Sequence, residues 1–261
     1  MSILLQTLRL AGVWLLGAGL ATVALAQEPA ATKVQTVKTG FIERVYKNAD
    51  GSESPYVVFI PHDYDGSKAY PVILFLHGAG ETKDPTGKKK SGKMPVEVGI
   101  GPAIKKREKT FAFIVVIPRA EGFGWGATTA NGKRAIAILD EVMRDYKVDP
   151  QRQYLTGLSM GGMGTWSLAL AYPDRWAAIV PICGRGDPSS VAKIKHIPCW
   201  CFHGDADTAV PVSGSRDMIE ALRQAGAQPK YTEYPGVGHN CWDRAYNTDE
   251  LYKWLLEQRR K

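Results

Sequence analysis

The segment Gly157-Leu158-Ser159-Met160-Gly161 constrains this chain more than any other. It follows a β-like run, Arg152-Gln153-Tyr154-Leu155-Thr156, and leads into a helix-like run from Gly162 to Ala171. A strand that turns at once into a helix leaves the side chain at the turn exposed, the form known as a nucleophile elbow. Glycines flank such a turn because a Cβ there would meet the neighbouring elements. A serine at its tip predicts a nucleophile, and with it a serine hydrolase.

The rest of the chain supports the strand and helix that the elbow needs. Val72-Ile73-Leu74-Phe75-Leu76 and Phe113-Ile114-Val115-Val116-Ile117 are unbroken apolar runs. Such runs suit strands covered on both faces, as in a mostly parallel sheet. Strands are expected over 41–47, 56–61, 72–77, 113–117, 153–157, 178–182, 199–203 and 230–234. Helices are expected over 129–146, 162–172, 212–225 and 248–257, the last capped by Asn247. Strands alternating with helices predict an α/β fold of about eight strands with helices on both faces. The first two strands follow one another without a helix, which fits an antiparallel edge. Only the 14 residues 184–197 separate the seventh strand region from the sixth. That is too short for a cap domain, so an open site is expected.

A chain of 261 residues holds one sizeable core. Residues 1–26 read as a signal peptide: Arg9, then an apolar stretch from Leu10 to Leu20, then the small-residue cleavage site Ala24-Leu25-Ala26. Residues 27–40 read as an extended or disordered tail, and 41–261 as a single catalytic domain. The mature chain is therefore expected to be secreted or periplasmic, with no membrane segment after removal of the leader. The net charge of +7 draws on a lysine-rich loop over 83–93, which reads as a solvated loop. With no aromatic interleaving and no nucleic-acid motif, binding to nucleic acid is excluded. Cys199 and Cys201 lie two apart on one strand, share a face and read as small buried hydrophobes. A bridge between Cys183 and Cys241 is the one disulfide the layout suggests.

The expected partners of Ser159 follow in the order acid, then histidine. Asp207, in His203-Gly204-Asp205-Ala206-Asp207, is the first choice for the acid, with Asp205 and Asp187 as alternatives. The chemistry wants a shielded carboxylate that accepts from imidazole Nδ1–H. His239, on the loop Gly236-Val237-Gly238-His239, would take the serine proton and return it to the leaving alcohol. His77 and His203 end earlier strands before a glycine and read as structural. Two N–H donors must face the developing oxyanion. Met160 supplies one, and Ala79, or failing that Gly80, the other. Trp125 and Trp242 are candidates for lining the substrate pocket. Trp166 reads as core. The chemistry calls for neither metal nor organic cofactor. Hydrolysis should fall as pH drops through the range of an ordinary histidine, about 6.5.

Tyr56-Val57-Val58-Phe59-Ile60-Pro61, His77-Gly78-Ala79-Gly80-Glu81, Gly157-Leu158-Ser159-Met160-Gly161-Gly162-Met163-Gly164-Thr165-Trp166, His203-Gly204-Asp205-Ala206-Asp207 and Gly238-His239-Asn240-Cys241-Trp242 together resemble α/β-hydrolase-fold carboxylesterases. The likeness is to the secreted group that joins dienelactone-hydrolase-like, feruloyl-esterase-like and polyhydroxybutyrate-depolymerase-like proteins, over about 41–258. It implies an α/β-hydrolase fold and supports Asp207 and His239 beside Ser159. The serine departs from the cysteine nucleophile of true dienelactone hydrolases and argues against their substrate. The lysine-rich loop implies a different pocket rim. The expected reaction is hydrolysis of a small-molecule or polymer-linked ester, with an aromatic, acetyl or polyester substrate. A prolyl-oligopeptidase-like peptidase and a non-catalytic secreted binding protein are the alternatives.

Overall fold

The computed structural model describes residues 37–84 and 94–260. The leader, the tail up to residue 36 and most of the lysine-rich loop lie outside the described residues. The chain begins with β1 (Gly40–Lys47), β2 (Glu53–Ile60) and β3 (Tyr70–Leu76), followed by α1 (Ile100–Lys106) and β4 (Ile114–Pro118). Next come α2 (Ala130–Asp145), β5 (Val148–Leu158), α3 (Met160–Ala171), β6 (Ala178–Ile182) and β7 (Trp200–Gly204). α4 (Ser213–Gln224), β8 (Lys230–Tyr234), α5 (Trp242–Tyr246) and α6 (Asp249–Glu257) complete it.

All eight strands join one sheet in the order β1-β2-β4-β3-β5-β6-β7-β8. β2 runs antiparallel to both β1 and β4. From β4 to β8 every pairing is parallel. Parallel neighbours need crossovers, and the crossover helices cover the sheet. The period-two alternation of a strand then sends apolar side chains both ways. Val72, Leu74 and Leu76 of β3 pack with Ile138 and Val142 of α2, Leu168 of α3 and Leu222 of α4. Ile73 and Phe75 face the other way, toward Ile104 of α1, Tyr246 of α5 and Leu251 of α6. Two buried cores explain why these strands carry unbroken apolar runs. The 184–197 segment contains only a short 3-10 helix, Pro188–Ile194, so no cap domain rises from it.

Several expected boundaries shift. β5 starts at Val148, with a register irregularity where it meets β3 between Tyr70 and Val72. α2 begins after Thr129, whose hydroxyl accepts from Gly132 N–H at 3.1 Å. The residue before α6 is Thr248 rather than Asn247. α1 and α5 have no counterpart in the sequence expectations.

The elbow itself depends on Gly161. A Cβ there would lie inside contact distance of the backbone carbonyl of Leu76, with the carbonyl of His77 at 2.8 Å. Those are main-chain atoms of β3 and its exit, so no side-chain rotation relieves the clash. Gly161→Ala is expected to destabilise the fold by about 2–4 kcal/mol. A urea midpoint unchanged from the parent would refute that reading of the contact.

Candidate active site

The site gathers at the C-terminal ends of the parallel strands, where an open α/β sheet binds its ligands. β5 ends at Leu158, and Ser159 takes φ 54° before α3 starts. A non-glycine residue in this region is uncommon and strained. The turn is held by Ser159 N–H donating to Ile182 O at 3.0 Å and by Met163 N–H donating to Ser159 O at 3.0 Å. The hydroxyl therefore stands clear of both the strand and the helix.

Asp207 follows β7 and His239 follows β8. His239 Nδ1 lies 2.7 Å from Asp207 Oδ2, and His239 Nε2 lies 2.9 Å from Ser159 Oγ. Because the carboxylate can only accept, the proton sits on Nδ1 and Nε2 is left to accept from the serine hydroxyl. The Asp207 side chain is fully shielded. Its other oxygen, Oδ1, accepts from Ala209 N–H at 2.8 Å and Val210 N–H at 2.9 Å. Burial pushes the carboxyl upward, but the His239 bond and the two backbone N–H groups outweigh it and hold Asp207 below the usual aspartate range.

The two alternative acids are committed elsewhere. Asp205 Oδ1 accepts from Gly236 N–H at 2.7 Å. That bond ties the turn that carries Asp207 to the loop that carries His239. Asp187 caps the short 3-10 helix through Ser189 N–H at 3.0 Å.

The expected oxyanion donors sit on the β3 and β5 exits. Neither Met160 N–H nor Ala79 N–H has an acceptor among the described residues. Ala79 and Gly80 are exposed at the start of a 3-10 helix, Ala79–Glu81. Glu81 Oε2 accepts from Gly78 N–H at 2.9 Å and closes that turn. Behind it, His77 is wholly buried. Its Nε2 accepts from Ala120 N–H at 2.9 Å, so its Nδ1–H donates to Gly78 O at 2.6 Å. Burial pushes the ring down to about 4, which keeps it neutral. His77 is thus built into the turn that follows β3, which carries Ala79 and Gly80.

Trp125 requires correction. It is only 2% exposed, and its indole N–H donates to His77 O at 2.9 Å. Gly164 leaves the space on α3 into which the indole packs. Trp125 therefore props the turn after β3 from within and does not line an open pocket. Its neighbour Phe123 is 75% exposed instead. The same loop touches the elbow through Gly124 N–H, which lies 3.1 Å from Met160 Sδ. Trp242 is half-buried, with its ring edge-on to His239 at 5.3 Å between centroids. Trp166 is core.

All four cysteines are free and buried. Cys199 and Cys201 share the same core face. Cys183 and Cys241 are neighbours, as the suggested bridge required, but both are free thiols. Burial pushes the Cys183 thiol well up, so it stays protonated and inert. Among the described residues, Cys183, Asp207 and His239 alone group three possible metal-ligating atoms within 4.8 Å. Two of those residues are already bonded to each other. Lys83 pairs with Glu121 at 3.3 Å, and the loop's remaining lysines lie outside the described residues.

One contact was not foreseen. His203 Nε2 lies 3.1 Å from Asp207 Oδ2, the same oxygen that holds His239. The i, i+4 spacing of His203 and Asp207 was the available signal.

Comparison with known proteins agrees with this architecture. The Esterase family model, described as "Putative esterase", matches residues 48–254. A "Probable feruloyl esterase C" of Aspergillus niger is 28% identical over 191 residues, 72% of this chain and 68% of the relative. A "Feruloyl esterase D" of Neurospora crassa is 25% identical over 232 residues, 86% of this chain and 77% of the relative. Among solved structures, one titled "Crystal Structure of a Thermostable Esterase" superposes with a TM-score of 0.73 at 32% identity. That match covers 84% of this chain and 63% of the other, so this chain spans less than two thirds of that protein. The chain belongs to the Esterase family, and it is a carboxylic ester hydrolase on the α/β-hydrolase fold, in the group that includes feruloyl esterases.

Proposed function

We propose that the protein is a serine carboxylesterase whose triad is Ser159, His239 and Asp207, with the Met160 and Ala79 N–H groups as its oxyanion hole. The observation that carries this is the relay of 2.9 Å from Ser159 Oγ to His239 Nε2 and 2.7 Å from His239 Nδ1 to Asp207 Oδ2. As Ser159 Oγ bonds to the acyl carbon, its proton passes to His239 Nε2. The imidazolium so formed is held by the shielded Asp207 carboxylate. The carbonyl oxygen takes up negative charge and is met by the two free N–H groups. Collapse breaks the ester C–O bond, and His239 gives its proton to the departing alkoxide. Water then gives a proton to His239 and attacks the acyl carbon; the bond from that carbon to Ser159 Oγ breaks, His239 returns the proton to Oγ, and the acid leaves.

The substrates we propose are esters of aromatic or acetyl acids, free or carried on a polysaccharide, and polyesters. Relatives named feruloyl esterase and "Bifunctional acetylxylan esterase/xylanase" support the first two classes. The short 184–197 segment, which holds only a 3-10 helix and no cap domain, supports a bulky substrate. We also propose export, on the strength of the leader-like residues 1–26. Among the described residues no helix is long and apolar enough to cross a membrane.

The test is a fluorophosphonate probe with peptide mapping, run beside p-nitrophenyl, feruloyl, acetyl-xylan and polyester substrates. Labelling confined to Ser159 is expected, with turnover of esters and none of matched amides. Labelling elsewhere, or faster turnover of the amide, would reject the assignment.

A further inference from the structure

His203 belongs to β7, is wholly buried and is not needed to explain the relay. Its Nε2 faces two acceptors, Asp207 Oδ2 at 3.1 Å and Val210 O at 3.0 Å. Nε2 must therefore carry a proton. Nδ1 lies 2.7 Å from Ser215 Oγ, on α4. A neutral ring protonated at Nε2 needs a donor there, and the Ser215 hydroxyl supplies it. Cys201 Sγ–H donates to Ser215 Oγ at 3.3 Å, and Gly184 O, at 3.1 Å, competes with the closer Nδ1 for the one hydroxyl proton.

Asp207 thus receives four donors. Ala209 and Val210 fill Oδ1, while His239 and His203 share Oδ2. A ring that only filled space would have no reason to bond the relay's own oxygen. We propose that His203, polarised by Ser215, is a positioning residue that fixes the rotation of Asp207 and sets how strongly its Oδ2 holds His239. This rests on the triad reading above.

Burial holds His203 below the ordinary histidine range and so favours the neutral ring. The charged or titratable groups around it are Asp207 and His239 on the side of the site, Cys201 beyond Ser215, and Glu233 from β8. Glu233 is already committed to Arg216 of α4 at 2.6 Å. A neutral N–H on Oδ2 competes with His239 for that oxygen. Removing it makes Oδ2 more basic and favours the imidazolium, while also freeing the carboxylate to rotate.

The experiment compares His203→Leu, His203→Gln and Ser215→Ala in the full chain, with a p-nitrophenyl ester and full pH profiles. His203→Leu is expected to lower kcat by about tenfold to hundredfold, with KM within about twofold. The acid limb of kcat/KM should move to higher pH. Glutamine returns an N–H donor near the Nε2 position, so His203→Gln should recover most of kcat and return the limb. Ser215→Ala, which keeps the ring and its packing, should move the limb the same way by less. A folded His203→Leu with an unmoved limb, or a glutamine variant as impaired as leucine, would overturn the proposal. If the leucine variant does not fold, an unmoved limb in Ser215→Ala overturns it.

A second readout separates this inference from the triad itself. In a Ser159→Ala background, the proton between His239 and Asp207 should move downfield in the nuclear magnetic resonance spectrum when His203→Gln is exchanged for His203→Leu, or when Ser215→Ala is added. An unmoved signal counts against His203. Inactive parent protein that leaves Ser159 unlabelled counts against the triad and leaves that signal interpretable.

Discussion

Ser159→Ala is expected to lower kcat for a p-nitrophenyl ester by about a millionfold. The substitution deletes the only nucleophilic atom at the elbow and changes little else. Alanine inherits the same φ of 54°, so the backbone strain is common to parent and variant. Ser159 N–H and Ser159 O keep their bonds to Ile182 and Met163. His239 Nε2 loses one partner on its half-exposed ring, where water can replace it. KM and thermal stability should therefore stay close to the parent, while acyl-enzyme burst kinetics disappear. Rates within tenfold of the parent, measured on protein free of host esterases, would remove Ser159 from the mechanism.

Asp207→Asn is expected to cost about ten-thousandfold in kcat. Ala209 and Val210 both donate to Oδ1, so the amide oxygen of asparagine is held at that position. The amide NH2 is then forced into the place of Oδ2, facing His239 Nδ1. A donor there selects the tautomer of His239 protonated on Nε2, which cannot accept the serine proton. His203 Nε2–H faces the same NH2 and must also rearrange. The check is kcat on the same ester, together with the rate of fluorophosphonate labelling, which should slow in parallel. A loss smaller than about tenfold would mean that the carboxylate does not fix the imidazole.

The sequence made the sheet and the elbow legible because both depend on local chemistry. Unbroken apolar strands can only be doubly covered, and Gly157, Ser159 and Gly161 mark a turn that few other residues could make. α1 was hidden because Gly99, Gly101 and Pro102 read as breakers in a helix of only seven residues. α5 was hidden inside the His239 loop because five residues carry too little periodicity. Trp125 could not be assigned because lining and packing use the same side chain. What decides is the space above Gly164, a tertiary fact. For His203 the sequence shows less than the structure. Its place at a strand end before Gly204 reads as structural, but its bond to Asp207 follows from how the turn after β7 folds back.

The Asp205–Gly236 bond has a mechanical consequence. With Ala206 N–H also donating to Val237 O at 3.1 Å, Asp207 and His239 ride on one stapled corner at the β7–β8 edge of the sheet. Ser159 belongs to a different body, the β5–α3 junction. Heat or denaturant that loosens the edge will open the gap between hydroxyl and imidazole before it parts imidazole from carboxylate. On the proposed triad, the weakest join then lies between Ser159 Oγ and His239 Nε2.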